Sequence, residues 1–178
     1  MLRHPAIDVL TGISYADLQD EVTWDHLVWT GPIDEFFDHR MGHLPYRSLR
    51  FENETFDTEQ LQSVAVVNYS HIDVPYTRIT EYKHLTGQRA PKTSITREYP
   101  ADHGDPYYPV PNPAAQAMYR RYEAMARART DVTFVGRLAT YRYYNMDQIV
   151  GQALASWRKL EARWHSELAS EQSLAAAE

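Results

Sequence analysis

Cysteine is absent from the 178-residue sequence, which excludes disulfides, thiolate zinc sites and cysteine nucleophiles. A chain without cysteine is typical of a reducing compartment, so we expect a cytoplasmic location. The sequence also lacks any apolar run long enough for a transmembrane helix, and no contact with a membrane is expected. Residues 1–5, MLRHP, lack the apolar centre of a secretory signal peptide.

Several self-sufficient catalytic motifs are missing as well. Only seven glycines are present, and none forms a glycine-rich phosphate loop, a Walker motif or a serine nucleophile elbow. His39 and His43 are four residues apart, but Gly42 separates them and the sequence shows no acidic partner that would complete a zinc pattern. A surface loop is therefore the preferred interpretation of this pair, and no metal site is predicted.

The net charge of −6 is unevenly distributed. Residues 1–39 hold eight acidic residues against one basic residue, which leaves the remainder of the chain at about +1. A nucleic-acid-binding protein would need a broad positive field, so this class is excluded. An anionic small molecule bound by a few placed arginines remains open.

Short apolar segments separated by turn signals predict an α+β fold. The predicted strands are residues 6–10, 26–29, 48–52, 64–69, 78–84, 93–98 and 132–135. A short helix is predicted over residues 33–38, and the short connections between the middle strands favour antiparallel pairing. Two longer helices are predicted from residue 112 and from residue 145, with fraying from about Ser166 onwards.

Capping signals define the starts of the two long helices. Asn112 is the predicted N-cap of the first, with Pro113 at its first position, and the arginines of this helix are expected to form a solvated face. Asn145 and Gln148 form a capping-box pattern at the start of the second. The apolar stripe of the second helix consists of Met146, Ile149, Val150, Ala153, Leu154 and Trp157.

Thirteen tyrosines are an unusual feature of the composition. Tyrosine suits the binding of sugars and phosphates, although half-buried sheet positions also explain many tyrosines. Tyr108 lies in a proline-bracketed turn, and Tyr143 leads into the helix start at Asn145, where free N–H groups favour anions. Arg78 follows the rigid segment VPYT and offers a planar fork for phosphate oxygens. Spacing alone does not show whether these groups meet.

Four co-linear blocks of sequence resemble the UDP-galactopyranose mutase family. The blocks are TGPID (30–34) with YRSLRFE (46–52), VVNY (66–69) with VPYTR (74–78), TREYP (96–100) with PYYP (106–109), and GRL (136–138) with YRYYNMDQ (141–148). They stand in the family's order and span about residues 25–154. The resemblance is therefore specific.

The resemblance implies a flavoenzyme that interconverts UDP-galactopyranose and UDP-galactofuranose. Reduced FAD is the implied cofactor: its N5 atom attacks the anomeric carbon, UDP leaves, and the opened iminium adduct recloses as the furanose. The protein would orient the reactants and stabilise the charge of the leaving diphosphate. A homodimer of the full-length protein is also compatible with the resemblance.

Matching positions imply specific roles for individual residues. Arg78 is implied to be the catalytic arginine at the phosphate and sugar. The implied substrate-binding residues are Asn68, Arg78, Tyr108, Tyr143 and Asn145. The implied flavin-binding residues are Arg137, Asn145, Met146, Asp147 and Gln148. Asn145 is also interpretable as a plain N-cap, and it stands where many family members carry Asp; Val135 stands where a Gly often precedes the Gly-Arg pair.

The family's N-terminal glycine-rich flavin motif, its mobile-loop arginine and its uracil-stacking tryptophan have no counterpart in this sequence. The four tryptophans, Trp24, Trp29, Trp157 and Trp164, are therefore interpreted as packing residues. We expect the chain to correspond to the C-terminal part of such an enzyme, with the missing N-terminal flavin-binding half as its partner.

The expected fold is a mostly antiparallel substrate-binding sheet with flanking helices and C-terminal pieces of a split, Rossmann-like FAD-binding domain. Residues 1–35 are expected to be remnant strands of the FAD-binding domain, 36–111 the substrate sheet, and 112–178 the helix, strand and C-terminal helix that complete the FAD side. An exposed apolar surface is predicted where the missing half would pack. Isolated, the chain is expected to be inactive. A non-catalytic fragment and a sugar-nucleotide-binding module remain alternatives.

Overall fold

A computed structural model describes the backbone of residues 2–175 and the side chains of residues 2–169. The helices and strands follow one another along the chain as α1 (Tyr15–Leu18), β1 (Leu27–Trp29), α2 (Ile33–Phe36), β2 (Tyr46–Phe56), β3 (Val66–Asn68), β4 (Arg78–Glu81), α3 (Lys83–Thr86), β5 (Thr93–Ala101), β6 (Tyr108–Pro109), α4 (Pro113–Arg127), β7 (Val132–Phe134) and α5 (Met146–Ala175). The chain is thus a mixture of helices and a largely antiparallel sheet, as the sequence predicts.

Five strands form an antiparallel sheet in the order β3-β4-β5-β2-β6. β2 pairs with β5 from Ser48 opposite Ala101 to Phe56 opposite Thr93, and this long ladder explains why β2 extends well beyond the five residues predicted. The antiparallel pairing expected for the middle of the chain is confirmed.

The remaining two strands, β1 and β7, form a separate parallel pair, with Trp29 opposite Phe134. Because the strands are parallel, their carboxyl ends lie at the same edge, and each leads into a glycine. A Cβ on Gly31 would lie 2.8 Å from the Trp29 ring, so this turn requires glycine. Gly136 has φ +99°, a conformation that side chains strongly disfavour.

The main core lies between α2, α4 and the segment before β2. Its buried members are Ile33, Phe37, Leu44, Ala115, Tyr122 and Tyr141. Two core tyrosines satisfy their hydroxyls with backbone oxygens: Tyr122 donates to the Gly42 carbonyl at 2.7 Å, and Tyr141 donates to the Pro45 carbonyl at 2.7 Å. Burial raises the pKa of both phenols, so they remain protonated donors.

Both predicted helix starts are confirmed. The Asn112 side chain accepts from the Ala115 N–H at 2.8 Å, with Pro113 at the first helical position. At α5 the Asn145 N–H donates to Gln148 Oε1 at 2.9 Å, which is one half of the predicted capping box. The arginines of α4 and its end are exposed, as predicted: Arg120, Arg121, Arg127 and Arg129.

Two predictions about local structure are wrong. Residues 6–10 are exposed and form no strand, because no neighbouring strand among residues 2–175 pairs with them. The strand predicted over residues 78–84 ends at Glu81, since residues 83–86 turn into α3. The backbone is helical through Ala175, and the fraying predicted from about Ser166 onwards stays a prediction; residues 176–178 of it lie outside the described part.

Four exposed apolar side chains form one stripe along α5: Met146 (87% exposed), Val150 (57%), Leu154 (51%) and Trp157 (50%). Spacings of four, four and three residues place them on one helical face. Val28 in β1 is also 51% exposed, although strands of parallel sheets are normally covered on both faces. Exposed apolar side chains are therefore present, as predicted, whereas the packing of a missing half against them stays a prediction. None of the helices within residues 2–175 combines the length and the apolarity needed to cross a bilayer.

Candidate functional site

Two of the predicted substrate residues lie directly opposite each other in the sheet. Asn68 in β3 pairs with Arg78 in β4, and Arg78 pairs in turn with Glu98 in β5. Glu98 is opposite Phe51 in β2. Residues opposite each other in an antiparallel ladder share a face, so this row forms one continuous strip across four strands.

Glu98 holds the guanidinium of Arg78 in this row. Its Oε2 lies 3.4 Å from Arg78 Nε, and the Glu98 side chain is largely buried, at 14% exposed. Arg78 Nε is itself buried and has no hydrogen-bond partner among the described residues, while the side chain as a whole is 41% exposed. The Glu98 carboxylate therefore lies beside the buried Nε, while part of the arginine side chain stays accessible to solvent or to an anion.

A second group joins three predicted residues from distant parts of the chain. The Arg137 guanidinium carbon lies 4.9 Å from the ring centre of Tyr108 and 5.0 Å from that of Tyr143. The two tyrosine rings are stacked, with centres 5.8 Å apart. Arg137 also donates to the Tyr144 carbonyl at 2.7 Å and to the Tyr107 carbonyl at 3.4 Å. One arginine thus ties the end of the sheet to the segment before α5.

The fold explains how Arg137 reaches this place. β7 ends at Phe134 and leads into Gly136, whose N–H donates to Gln152 Oε1 of α5 at 2.9 Å. Gln152 in turn donates to the Tyr144 hydroxyl at 3.2 Å. Arg137 follows immediately, so the turn after β7 and the first turns of α5 are fixed together.

The two groups are linked through one aromatic contact. Phe51, which ends the Arg78 row, packs edge-on against Tyr107 with ring centres 5.7 Å apart. Tyr107 is the residue whose carbonyl accepts from Arg137. Arg47 and Phe51 lie on the same face of β2 because they are four residues apart, and Tyr108 lies opposite Arg47. The substrate residues predicted in the sheet, Asn68, Arg78 and Tyr108, therefore lie on one face.

The start of α5 adjoins the second group. Asn145, Met146, Asp147 and Gln148 are all exposed, and they begin one residue after Tyr144, to which Arg137 donates. The first N–H groups of a helix have no partner within the helix and favour an anion or an electron-rich oxygen. The residues predicted to bind a flavin are thus gathered in one place.

Sequence reasoning missed three residues that connect this surface: Phe51, Glu98 and Tyr107. Each lies inside a block that carried the family resemblance, but none carried a role there. The alternation of side chains along β4 and β5 would have placed Glu98 on the face of Arg78 only if the register between these two strands had been known. Register depends on pairing across the sheet, which no local pattern specifies.

One conclusion about His39 and His43 needs correction. The sequence showed no acidic partner for them, but the structure places Asp34 Oδ2 3.2 Å from His39 Nδ1. The partner lies five residues earlier, at the start of α2, and comes close because the chain reverses after that helix.

Comparison with known proteins gives a consistent result. A family model described as UDP-galactopyranose mutase matches residues 1–143. The chain is 37% identical over 163 residues to the dTDP-fucopyranose mutase of Escherichia coli, covering 86% of this chain and 43% of that protein. It is 39% identical over 140 residues to a probable UDP-galactopyranose mutase of Klebsiella pneumoniae, covering 76% and 36%. It is 32% identical over 168 residues to the UDP-galactopyranose mutase of Mycoplasma genitalium, covering 84% and 41%. The chain spans about two-fifths of the length of these relatives.

Proposed function

Because this chain belongs to the UDP-galactopyranose mutase family, we propose that it forms the substrate-facing part of a flavin-dependent mutase that interconverts UDP-galactopyranose and UDP-galactofuranose. The observation that carries the proposal is the meeting of Arg137, Tyr108 and Tyr143 beside the start of α5. Cations, phenols and a helix start are groups that recognise a diphosphate and an electron-rich ring edge.

Each sheet residue has a role in this proposal. Arg78 contacts the diphosphate and the sugar, and it stabilises the charge that develops as the nucleoside diphosphate departs. Tyr108 and Tyr143 donate their hydroxyls to the diphosphate, and Asn68, opposite Arg78, contacts the substrate beside it. Arg137 holds the two tyrosine rings in position through its stacking contacts.

A flavin fits the start of α5 on chemical grounds. Residues 146–148 are exposed, and the backbone N–H groups of this first helical turn suit the carbonyl oxygens of a flavin ring. Arg137 donates to the carbonyl of Tyr144, two residues before this turn. Bound there in its reduced form, a flavin would supply the nucleophile for the anomeric carbon. Asn145 adds a polar amide to the same turn. No glycine-rich loop for the FAD diphosphate occurs in this sequence, so that contact belongs to residues outside it.

The proposal divides the chain into three parts. Residues 36–111 carry the substrate sheet, while residues 1–35 and 112–178 belong to a Rossmann-like FAD-binding domain that is assembled from separated segments. The portion of the relatives that this chain does not span would complete that domain. In this arrangement it covers the α5 stripe, defined as Met146, Val150, Leu154 and Trp157, and the exposed face of β1.

A comparison of two proteins tests whether the portion outside this chain covers the α5 stripe. One is the isolated chain, and the other is a chimera in which the chain replaces the matching region of the Klebsiella pneumoniae relative. We expect Val150→Glu with Leu154→Glu to change the free energy of unfolding of the isolated chain by no more than about 0.5 kcal/mol, because both side chains are exposed. The same pair should destabilise the chimera by about 2 kcal/mol or more, because charges would be buried.

Leu85→Glu is the matched control, since Leu85 is 63% exposed on α3, outside the stripe. It should have little effect in either protein. Urea unfolding followed by circular dichroism measures all of these values. If the stripe variants had equal effects in the chain and in the chimera, the α5 stripe would not be buried by the rest of the chimera.

Mutase assays of the same chimera test the function itself. The chimera with reduced FAD should convert UDP-galactopyranose to the furanose, and the isolated chain with reduced FAD should not, because much of the flavin site lies outside it. Tyr108→Phe with Tyr143→Phe should lower kcat/KM by about 10-fold to 100-fold through loss of hydrogen bonds to the diphosphate. Tyr15→Phe, which alters an aromatic cluster elsewhere, serves as the control.

Furanose formed by the isolated chain would support the mutase function but contradict the expected inactivity of this chain on its own. A chimera that binds flavin and UDP but forms no furanose would contradict the mutase function and favour the alternative of a sugar-nucleotide-binding module. A second substrate to assay is dTDP-fucopyranose, which the name of the Escherichia coli relative suggests. The residues proposed to bind the diphosphate would meet the same group in both sugar nucleotides.

A further inference from the structure

Three side chains with metal-binding atoms converge beside α2, away from the residues assigned to the sugar nucleotide. A carboxylate oxygen of Asp34 and one ring nitrogen each of His39 and His43 all lie within 4.8 Å of one another. We propose that Asp34, His39 and His43 bind one divalent transition-metal ion. The inference does not depend on the proposed mutase function.

The backbone brings the three residues together in an unusual way. Asp38 and His39 both adopt the left-handed conformation, with φ values of 51° and 52°, which side chains rarely do. The turn allows the His39 N–H to donate to the Asp34 carbonyl at 2.8 Å. Gly42, at φ 99°, then directs His43 back, so that the two imidazole rings stack with centres 3.9 Å apart. Such conformations cost free energy and persist where the surrounding structure enforces them.

The carboxylate of Asp34 is held firmly from behind. Asp34 is only 2% exposed, and its Oδ2 accepts from the Leu44 N–H at 2.9 Å. Its Oδ1 accepts from the Tyr46 hydroxyl at 3.2 Å. Hydrogen bonds of this kind orient the ligands of natural metal sites and raise their affinity. His43, by contrast, is exposed, so its ring has more freedom than the buried Asp34 carboxylate to adjust toward the ~3.3 Å expected between tetrahedral nitrogen ligands.

The surrounding cavity favours a cation. It has a volume of about 350 Å³, and no lysine or arginine is among its lining residues. Besides the three proposed ligands, its titratable lining includes Glu35, Asp102 and His103, with Tyr46 at the back. A concave surface of carboxylates and imidazoles attracts positive charge.

The donor set indicates the class of metal. Two imidazoles and one carboxylate suit Zn²⁺, Co²⁺, Ni²⁺ or Cu²⁺, whereas Mg²⁺ and Ca²⁺ prefer oxygen ligands throughout. Three protein ligands leave at least one position for water.

Titration of the tag-free chain with Co²⁺, followed by visible absorption, and with Zn²⁺, followed by calorimetry, tests the proposal. We expect saturable binding of one ion per chain, with Mg²⁺ failing to compete. His43→Ala and His39→Ala should each weaken binding by about 10-fold or more. His43 is exposed, so its variant should keep the circular dichroism spectrum of the parent chain.

His71→Ala is the matched control, because His71 also lies beside a carboxylate, at 3.4 Å from Asp73, but belongs to no cluster of three metal-binding side chains among the described residues. It should leave the affinity unchanged. Absence of saturable binding up to about 1 mM metal would overturn the proposal. Binding that is equally tight in the His39, His43 and His71 variants would also overturn it.

Discussion

Replacing Arg78 with alanine is expected to lower the turnover of the chimera by about 100-fold to 1000-fold. In the proposed function this guanidinium meets the diphosphate as it leaves, so its contribution is larger in the transition state than in the bound substrate. The row Asn68–Arg78–Glu98 supports the role, because Glu98 is ion-paired with the buried Nε while the Arg78 side chain stays partly exposed. Steady-state kinetics with UDP-galactopyranose and reduced FAD measure the effect.

Two further variants make the Arg78 prediction specific. Arg78→Lys keeps the charge but loses the planar fork, so it should recover only part of the rate. Arg127→Ala removes a 75% exposed arginine whose partner is Glu123 on the same helix, and it should leave kcat unchanged. Flavin content should be equal in all three variants. A near-normal kcat for Arg78→Ala would remove the role assigned to this residue.

Local patterns predicted the elements whose signals lie within a few residues of each other. The cap of α4 by Asn112 and the contact of Gln148 with the Asn145 N–H both follow from side chains that reach backbone groups three residues away. Residues 6–10 carried the apolar pattern of a strand, but a strand also needs a neighbouring strand to pair with. No described strand pairs with these residues, and no local sequence pattern reveals whether such a partner exists.

The candidate site depended on information of a different kind. Tyr108 and Tyr143 are 35 residues apart, and they meet only because the register of β6 on β2 and the turn after β7 bring Arg137 between their segments. The resemblance assigned roles to these residues, whereas their contacts with one another had to come from the fold. The partner of His39 was missed for a similar reason, since two consecutive left-handed residues could not be expected where neither is glycine.

The second large effect concerns stability and the strand that carries Arg78. Glu81 ends β4 and is fully buried. Its carboxylate accepts from the Gln62 N–H at 2.8 Å, the Leu61 N–H at 3.1 Å and the Thr93 hydroxyl at 2.6 Å. One side chain thus fastens the loop after β2 to both β4 and β5. Glu81→Ala should lower the free energy of unfolding by about 4 kcal/mol, because several donors lose their acceptor at once.

The pH dependence of stability distinguishes the contribution of the Glu81 charge from that of the packing of its side chain. Burial alone raises the pKa of Glu81, but the Thr93 hydroxyl and the N–H groups of Gln62 and Leu61 outweigh it, so the pKa lies below its ordinary value of 4.5. A lowered pKa stabilises the fold above the unfolded-state pKa, and this contribution is lost as the pH falls through 4.5 towards the native value. The difference in unfolding free energy between the parent chain and Glu81→Gln should therefore be largest near neutral pH and shrink in acid.

Glu21→Ala, at an exposed position, should change stability by no more than about 0.5 kcal/mol at any pH. Urea unfolding at a series of pH values measures these differences, and a Glu81→Gln difference that is constant with pH would show that the carboxylate charge does not hold this part of the sheet together.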